Sequence, residues 1–193
     1  MPECRGSIGS MDSSLKSLFP LIVPADYVQS GTWKLPHLRL RLSELILTWV
    51  VLHERQTMVY VTEDQVNHWK RLEIEWEQIA IENMKRDSGE GPATHEKRDA
   101  SGNLQWIAMM QSDGLGSSRV LMTEELRSLF PGGYQLAIPE RSVGIALSTE
   151  ANPEDRAAFA EAVQKCYRVG ITRMLGKLLD PIDVLPASSL SSQ

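Results

Sequence analysis

Twice in this chain a run of strand-forming residues ends, two or three polar residues follow, and a second such run begins. LILTWVVLHE (45–54) and TMVYVT (57–62) are separated by Arg55 and Gln56, and YQLAIP (134–139) and VGIALS (143–148) flank Glu140, Arg141 and Ser142. Runs this close leave no room for a crossover helix, so each pair should turn back on itself as an antiparallel hairpin. LQWIAMMQ (104–111) reads as a further strand and the alternating LRLRL (38–42) as an edge strand.

Helical periodicity falls between these runs. Over 71–86, Leu72, Trp76, Ile79, Ala80, Asn83 and Met84 recur on one face, with Ile74 and Ile81 opposite. Those two isoleucines are expected to bury under LFPLIVPADYV (18–28). Residues 117–130 read as a second helix, stopped by Pro131, Gly132 and Gly133. From Pro153 to Val169 the signals agree most fully: Asn152 caps, Pro153 takes the first turn, Phe159, Val163, Cys166 and Tyr167 form a stripe, and Gly170 ends it.

This order lacks the regular strand–helix alternation of a doubly wound fold. The expectation is α+β: a mainly antiparallel sheet, two hairpins plus a further strand, covered by about three helices. Residues 15–182 are expected to form a single domain, with a disordered leader at 1–14 and a disordered, Ser-rich tail at 183–193. GEGPATHEKRDASGN (89–103) has no periodicity and reads as a long, weak loop.

Composition narrows the function. With 42% hydrophobic and 23% charged residues the chain can bury a proper core. A net charge of −5 speaks against a nucleic-acid binder, which needs a basic footprint to displace counterions. The most apolar run, LILTWVVL, is too short to span a bilayer, so no membrane is expected and the setting is read as cytoplasmic. Cys4 and Cys166 form no disulfide framework, which fits a reducing compartment. His37, His53, His68 and His95 show no metal-ligand spacing, and no motif implies a cofactor.

SDGLGSSRVLM (112–122) is where chemistry could reside. It has neither the order of a nucleophile elbow nor the lysine of a phosphate-binding loop. An anion cradle is physically better: backbone N–H groups at a helix start, close approach at Gly114 and Gly116, hydroxyls at Ser117 and Ser118, and donors from Arg119 and Arg141. The competing reading is a helix start in which Asp113 or Ser117 caps and the glycines only turn.

Two polar residues fall on apolar faces, Arg119 beside Met122, Leu126, Leu129 and Phe130, and Asn83 within the 71–86 stripe. Each needs a buried partner. Asn83, Asp113 and Glu140 are therefore assigned to a structural polar network, and Asp113, Arg119 and Arg141 are expected to meet in space.

AIENM (80–84), DGLGSSRVLM (113–122) and LAIPERS (136–142) together resemble, in order and spacing, a bacterial family of unknown function typified by YtpQ. The likeness covers roughly residues 15–150 and departs at Glu140 and Ser142, where that family carries Asn and Asp around the proline. It implies no reaction, cofactor or partner. The chain is read as a non-enzymatic binding or regulatory module with a protein partner of unknown identity. The alternative is an enzyme or binding protein for an anionic small molecule, using the Asp113–Arg119 turn.

Overall fold

The structure, a computed structural model, describes residues 13–29, 34–53, 57–89 and 91–187. A 3₁₀ turn at Ser13–Ser17 leads into β1 (Leu18–Pro24), then α1 (Asp26–Gln29), β2 (Leu38–Arg39), β3 (Leu45–His53) and β4 (Thr57–Tyr60). β3 is the centre of this first sheet. β1 pairs antiparallel along one side, from Leu18↔Val51 to Pro24↔Leu45, while β2 and β4 share the other side. The first expected hairpin is thus β3–β4, ending at Tyr60. Its linking residues 54–56 lie outside the described residues.

Residues 18–28 are expected without secondary structure, and β1 is a strand despite Pro20 and Pro24, which a central strand would not accept. They are tolerated because β1 is an edge strand. Alternation gives Pro20 and Pro24 the phase of Ile22, whose N–H points off the sheet and donates to Ser118 Oγ at 3.0 Å. Neither proline therefore removes a ladder hydrogen bond. Both faces of the sheet are covered: Leu18, Ile22, Leu47, Trp49 and Val51 join the main core, and Phe19, Leu21, Val23, Ile46 and Val50 pack with Met84, Leu115 and Met122. Burial on both faces explains the unbroken apolar run of β3.

The expected helix 71–86 is replaced by two helices, α2 (Glu63–Arg71) and α3 (Trp76–Asp87). Thr62 caps α2 through a reciprocal bond with Gln65. Leu72 is exposed and Glu73 adopts φ 55°, so the stripe begins at Trp76. Ile74 packs half-buried against the main core, and Ile81 is half-buried.

The second sheet contains β5 (His95–Arg98), β6 (Leu104–Met109), β7 (Tyr134–Glu140), β8 (Val143–Ser148) and β9 (Leu178–Leu179), in the order β5-β6-β8-β7-β9, every pair antiparallel. The 89–103 segment is thus not a plain loop: β5 pairs with β6, and Asp99 Oδ1 holds the turn by accepting from the N–H groups of Ser101 and Asn103. The β7–β8 hairpin matches expectation, with a register shift between Ala137 and Glu140 that accommodates Pro139.

The expected helix 117–130 is a 3₁₀ segment, Gly116–Leu121, broken at Met122 before α4 (Thr123–Leu129). Leu129 is consequently exposed. α5 (Pro153–Val169) forms as expected, with Asn152 Oδ1 accepting from Asp155 N at 2.8 Å. It covers one face of the second sheet through Phe159 and Val163, while Ile107, Met109, Leu136 and Ile138 face the core shared with the first. Cys166 is half-buried, and burial and then Glu140 raise its thiol above the usual range.

Part of each end expected to be disordered belongs to the described structure, and residues 188–193 of the tail lie outside it. Ser13 and Ser14 belong to the first 3₁₀ turn, and the remainder of that leader lies outside the described residues. At the other end Val184 is buried, the N–H groups of Arg41 and Leu42 donate to Leu185 and Asp183, and Leu40 bridges to Pro186. The molecule is an α+β fold built on two open antiparallel sheets. Among the described residues no helix is long and apolar enough to cross a membrane.

Candidate functional site

The 113–119 turn lies between the two sheets. Gly116 sits against the backbone of β6 and of the β7–β8 hairpin, where a Cβ would collide with the carbonyl oxygens of Met109 and Ser142. Gly144 meets the carbonyl of Gly116 in the same way. On the opposite side Ser118 holds the outer edge of β1 at Ile22. The loop's small residues are thus required by close backbone approach on one side and by an edge strand on the other.

Arg119 is 1% exposed, and each of its three guanidinium nitrogens donates a hydrogen bond. It donates in bidentate fashion to Asp113, at 3.0 Å to Oδ1 and 2.6 Å to Oδ2, while Nε donates to Ser88 Oγ at 3.0 Å. Asp113 Oδ1 also accepts from Leu115 N at 2.9 Å, and the Ser88 hydroxyl donates to the carbonyl of Met84 at the end of α3. This buried, charge-assisted pair therefore ties the turn to α3.

An anion cradle at this turn would need free backbone donors. Leu115 N is held by Asp113, Ser117 N by the carbonyl of Arg141, and Ser118 N and Arg119 N by the carbonyl of Leu115. With Arg119 closed on Asp113 and Ser118 on Ile22, these donors are occupied internally, whereas the Ser117 hydroxyl and Arg141 Nε are buried without a hydrogen-bond partner among the described residues. Asp113 Oδ1 braces the turn through Leu115 N, but the 3₁₀ segment Gly116–Leu121 begins without a side-chain cap, so neither Asp113 nor Ser117 caps it as the competing reading had it.

Asn83 is 4% exposed and its amide donates to the carbonyls of Leu15 (2.7 Å) and Leu18 (2.9 Å), closing the open edge of β1. Its Oδ1 accepts from Arg86 at 2.7 Å. Glu140 is not gathered with Asp113. Its carboxylate takes the backbone N–H and hydroxyl of Ser142, pinning the hairpin tip. Arg141 reaches the turn only through its carbonyl, and its N–H donates to Thr172. The expected meeting of three side chains is a meeting of two: among the described residues Asp113 pairs with Arg119 and has no ion pair with Arg141.

A different region has the form of a ligand site. Beside Trp49 of β3 a depression of about 420 Å³ opens between the segment 35–38, α2 and the start of α3. That volume lies in the usual range for small-molecule sites. Its floor is buried and apolar: Leu35, Val66, Trp49 and Trp76. The two indoles meet edge to face with centroids 4.5 Å apart, and Trp69 backs Trp76 at 5.8 Å. Its rim carries His37, Glu63, Asn67, Lys70 and Glu77.

Glu63, Asn67 and Lys70 share this rim because they stand at i, i+4 and i+7 on α2, and the Thr62 cap fixes where that helix begins. Among the described residues neither glutamate nor Lys70 has an ion-pair partner within 4.0 Å. Desolvation holds the Glu77 carboxyl above the usual carboxylate range, with Lys70 opposing and Glu75 reinforcing the shift. Sequence reasoning missed this region because α2 was unassigned. The T-x-x-Q box at Thr62–Gln65 was the available signal.

Comparison with models of known families, with curated proteins and with solved structures found no match to this chain.

Proposed function

We propose that this protein is a non-enzymatic binding or regulatory module of the cytoplasm, engaging its ligand at the Trp49–Trp76 depression. One observation carries the reading. The charged rim of the depression is uncommitted, whereas Arg119 and the amides around it are consumed in holding the two sheets and α3 together. The three motifs shared with the YtpQ-type family support kinship with it. Two of their polar residues, Asn83 and Arg119, serve packing here.

The alternative, an anionic ligand near the 113–119 turn, keeps one observation in its favour. Arg141 Nε is buried without a hydrogen-bond partner, and among the described residues its guanidinium has no ion pair.

A thermal-shift screen with a mixed set of amines, acids and neutral aromatics separates the two, with each compound's recovery measured afterwards. The binding reading expects compounds that raise Tm, lose that effect on Glu63→Gln with Glu77→Gln, and are recovered unchanged. Chemical conversion of a stabilising compound contradicts it. Stabilisation by acids alone, abolished by Arg141→Ala, transfers the site to the alternative.

A further inference from the structure

We infer that the Trp49–Trp76 depression takes an organic cation, an ammonium or guanidinium group carried on an apolar body. The inference rests on the binding reading above and adds the chemistry of the ligand. Two carboxylates, Glu63 and Glu77, and one ammonium, Lys70, line the rim. Their sum is one negative charge, and none of the three is neutralised by an ion pair among the described residues.

A phosphate or carboxylate entering here meets one attractive and two repulsive groups. A neutral aromatic ligand removes more water from Glu77, a carboxylate already partly desolvated, and returns no charge to it. An ammonium does the reverse: it adds positive charge beside Glu63 and Glu77, while its apolar body rests on the indole floor. The chain's net charge of −5 draws the same class of ligand at longer range.

Three probes of nearly one shape test the assignment: phenethylammonium, 2-phenylethanol and phenylacetate. Each is titrated into the full chain while the indole N–H resonances of Trp49 and Trp76 are followed by NMR. The ammonium is expected to bind roughly two- to tenfold tighter than the alcohol, with phenylacetate weakest. Added salt should shrink the gap, and Glu63→Gln with Glu77→Gln should bring the ammonium down to the alcohol. Both glutamates are exposed first-turn residues, so the double variant should fold, and an unchanged far-UV spectrum checks this.

Equal binding of the three, or preference for the alcohol or the acid, overturns the cation assignment and leaves the depression a binding site. Failure of all three to move either indole overturns the site and the assignment together.

Discussion

The 113–119 turn and the depression beside Trp49 are both polar, and they use their polar groups in opposite ways. In the turn, Arg119 is closed on Asp113 and Ser88, Ser118 on Ile22, and the backbone N–H groups of Leu115, Ser117, Ser118 and Arg119 on Asp113 Oδ1 and the carbonyls of Arg141 and Leu115. At the depression, Glu63, Lys70 and Glu77 stand on exposed helix faces with no ion-pair partner among the described residues. A glycine- and serine-rich loop with an arginine looks like a site because its donors are imagined free. Burial determines otherwise, since a guanidinium that is 1% exposed is stable only when paired.

The largest effect that would break this contrast is at Asp113. Asp113→Asn leaves a buried guanidinium without its counter-charge and should cost roughly 3–5 kcal/mol by urea unfolding. Arg119→Met should cost less, about 1–3 kcal/mol, because the remaining carboxylate is 22% exposed and can recruit water. Equal, near-zero losses would show that the pair is not structural.

Gly116→Ala comes next. Its Cβ has no room between two carbonyls, so a loss of about 2–3 kcal/mol is expected, at the upper end for over-packing. A variant as stable as the parent would mean that the turn does not press against the second sheet.

Ser118→Ala removes the hydroxyl that accepts from the Ile22 N–H and should cost about 1–3 kcal/mol, the penalty for a buried unsatisfied donor.

The smallest effect belongs to the other region and depends on pH. Because the folded-state pKa of Glu77 is raised, its favourable contribution is complete below the unfolded value and is lost as pH rises through the folded one. Glu77→Gln should therefore gain on wild type in Tm as pH rises out of the ordinary carboxylate range, and match it below. A difference independent of pH would remove Glu77 from the desolvated rim.

The sequence made the two hairpins and α5 legible because each announces itself locally. β3–β4 and β7–β8 are paired apolar runs, and Asn152-Pro153 opens α5 with a cap and a first-turn proline. β5 was illegible because all four of its side chains, His95 to Arg98, are exposed and carry no alternation. β1 was obscured by its prolines, whose harmlessness depends on which edge of β3 they face. α2 and α3 merged into one expected helix because Leu72 happened to fit the stripe, while the break is made by Glu73 in the left-handed region.

For the site, Asp113 with Arg119 and the role of Asn83 followed from the cost of burying charge and amide. The partners Ser88, Leu15 and Leu18 did not, since each is distant in sequence. The depression is a meeting of β3, α2 and α3 that no local pattern records.

Native-state hydrogen exchange at the amides of Ile22, Leu115 and Ser117 tests most directly whether the turn is a weld between elements. Each is held by a group of, or adjoining, that turn: Ser118 Oγ, Asp113 Oδ1 and the carbonyl of Arg141. All three should exchange as slowly as the core of β3, with no change on adding inorganic phosphate. Fast exchange that slows only when phosphate is present would make the turn an anion site and contradict the account.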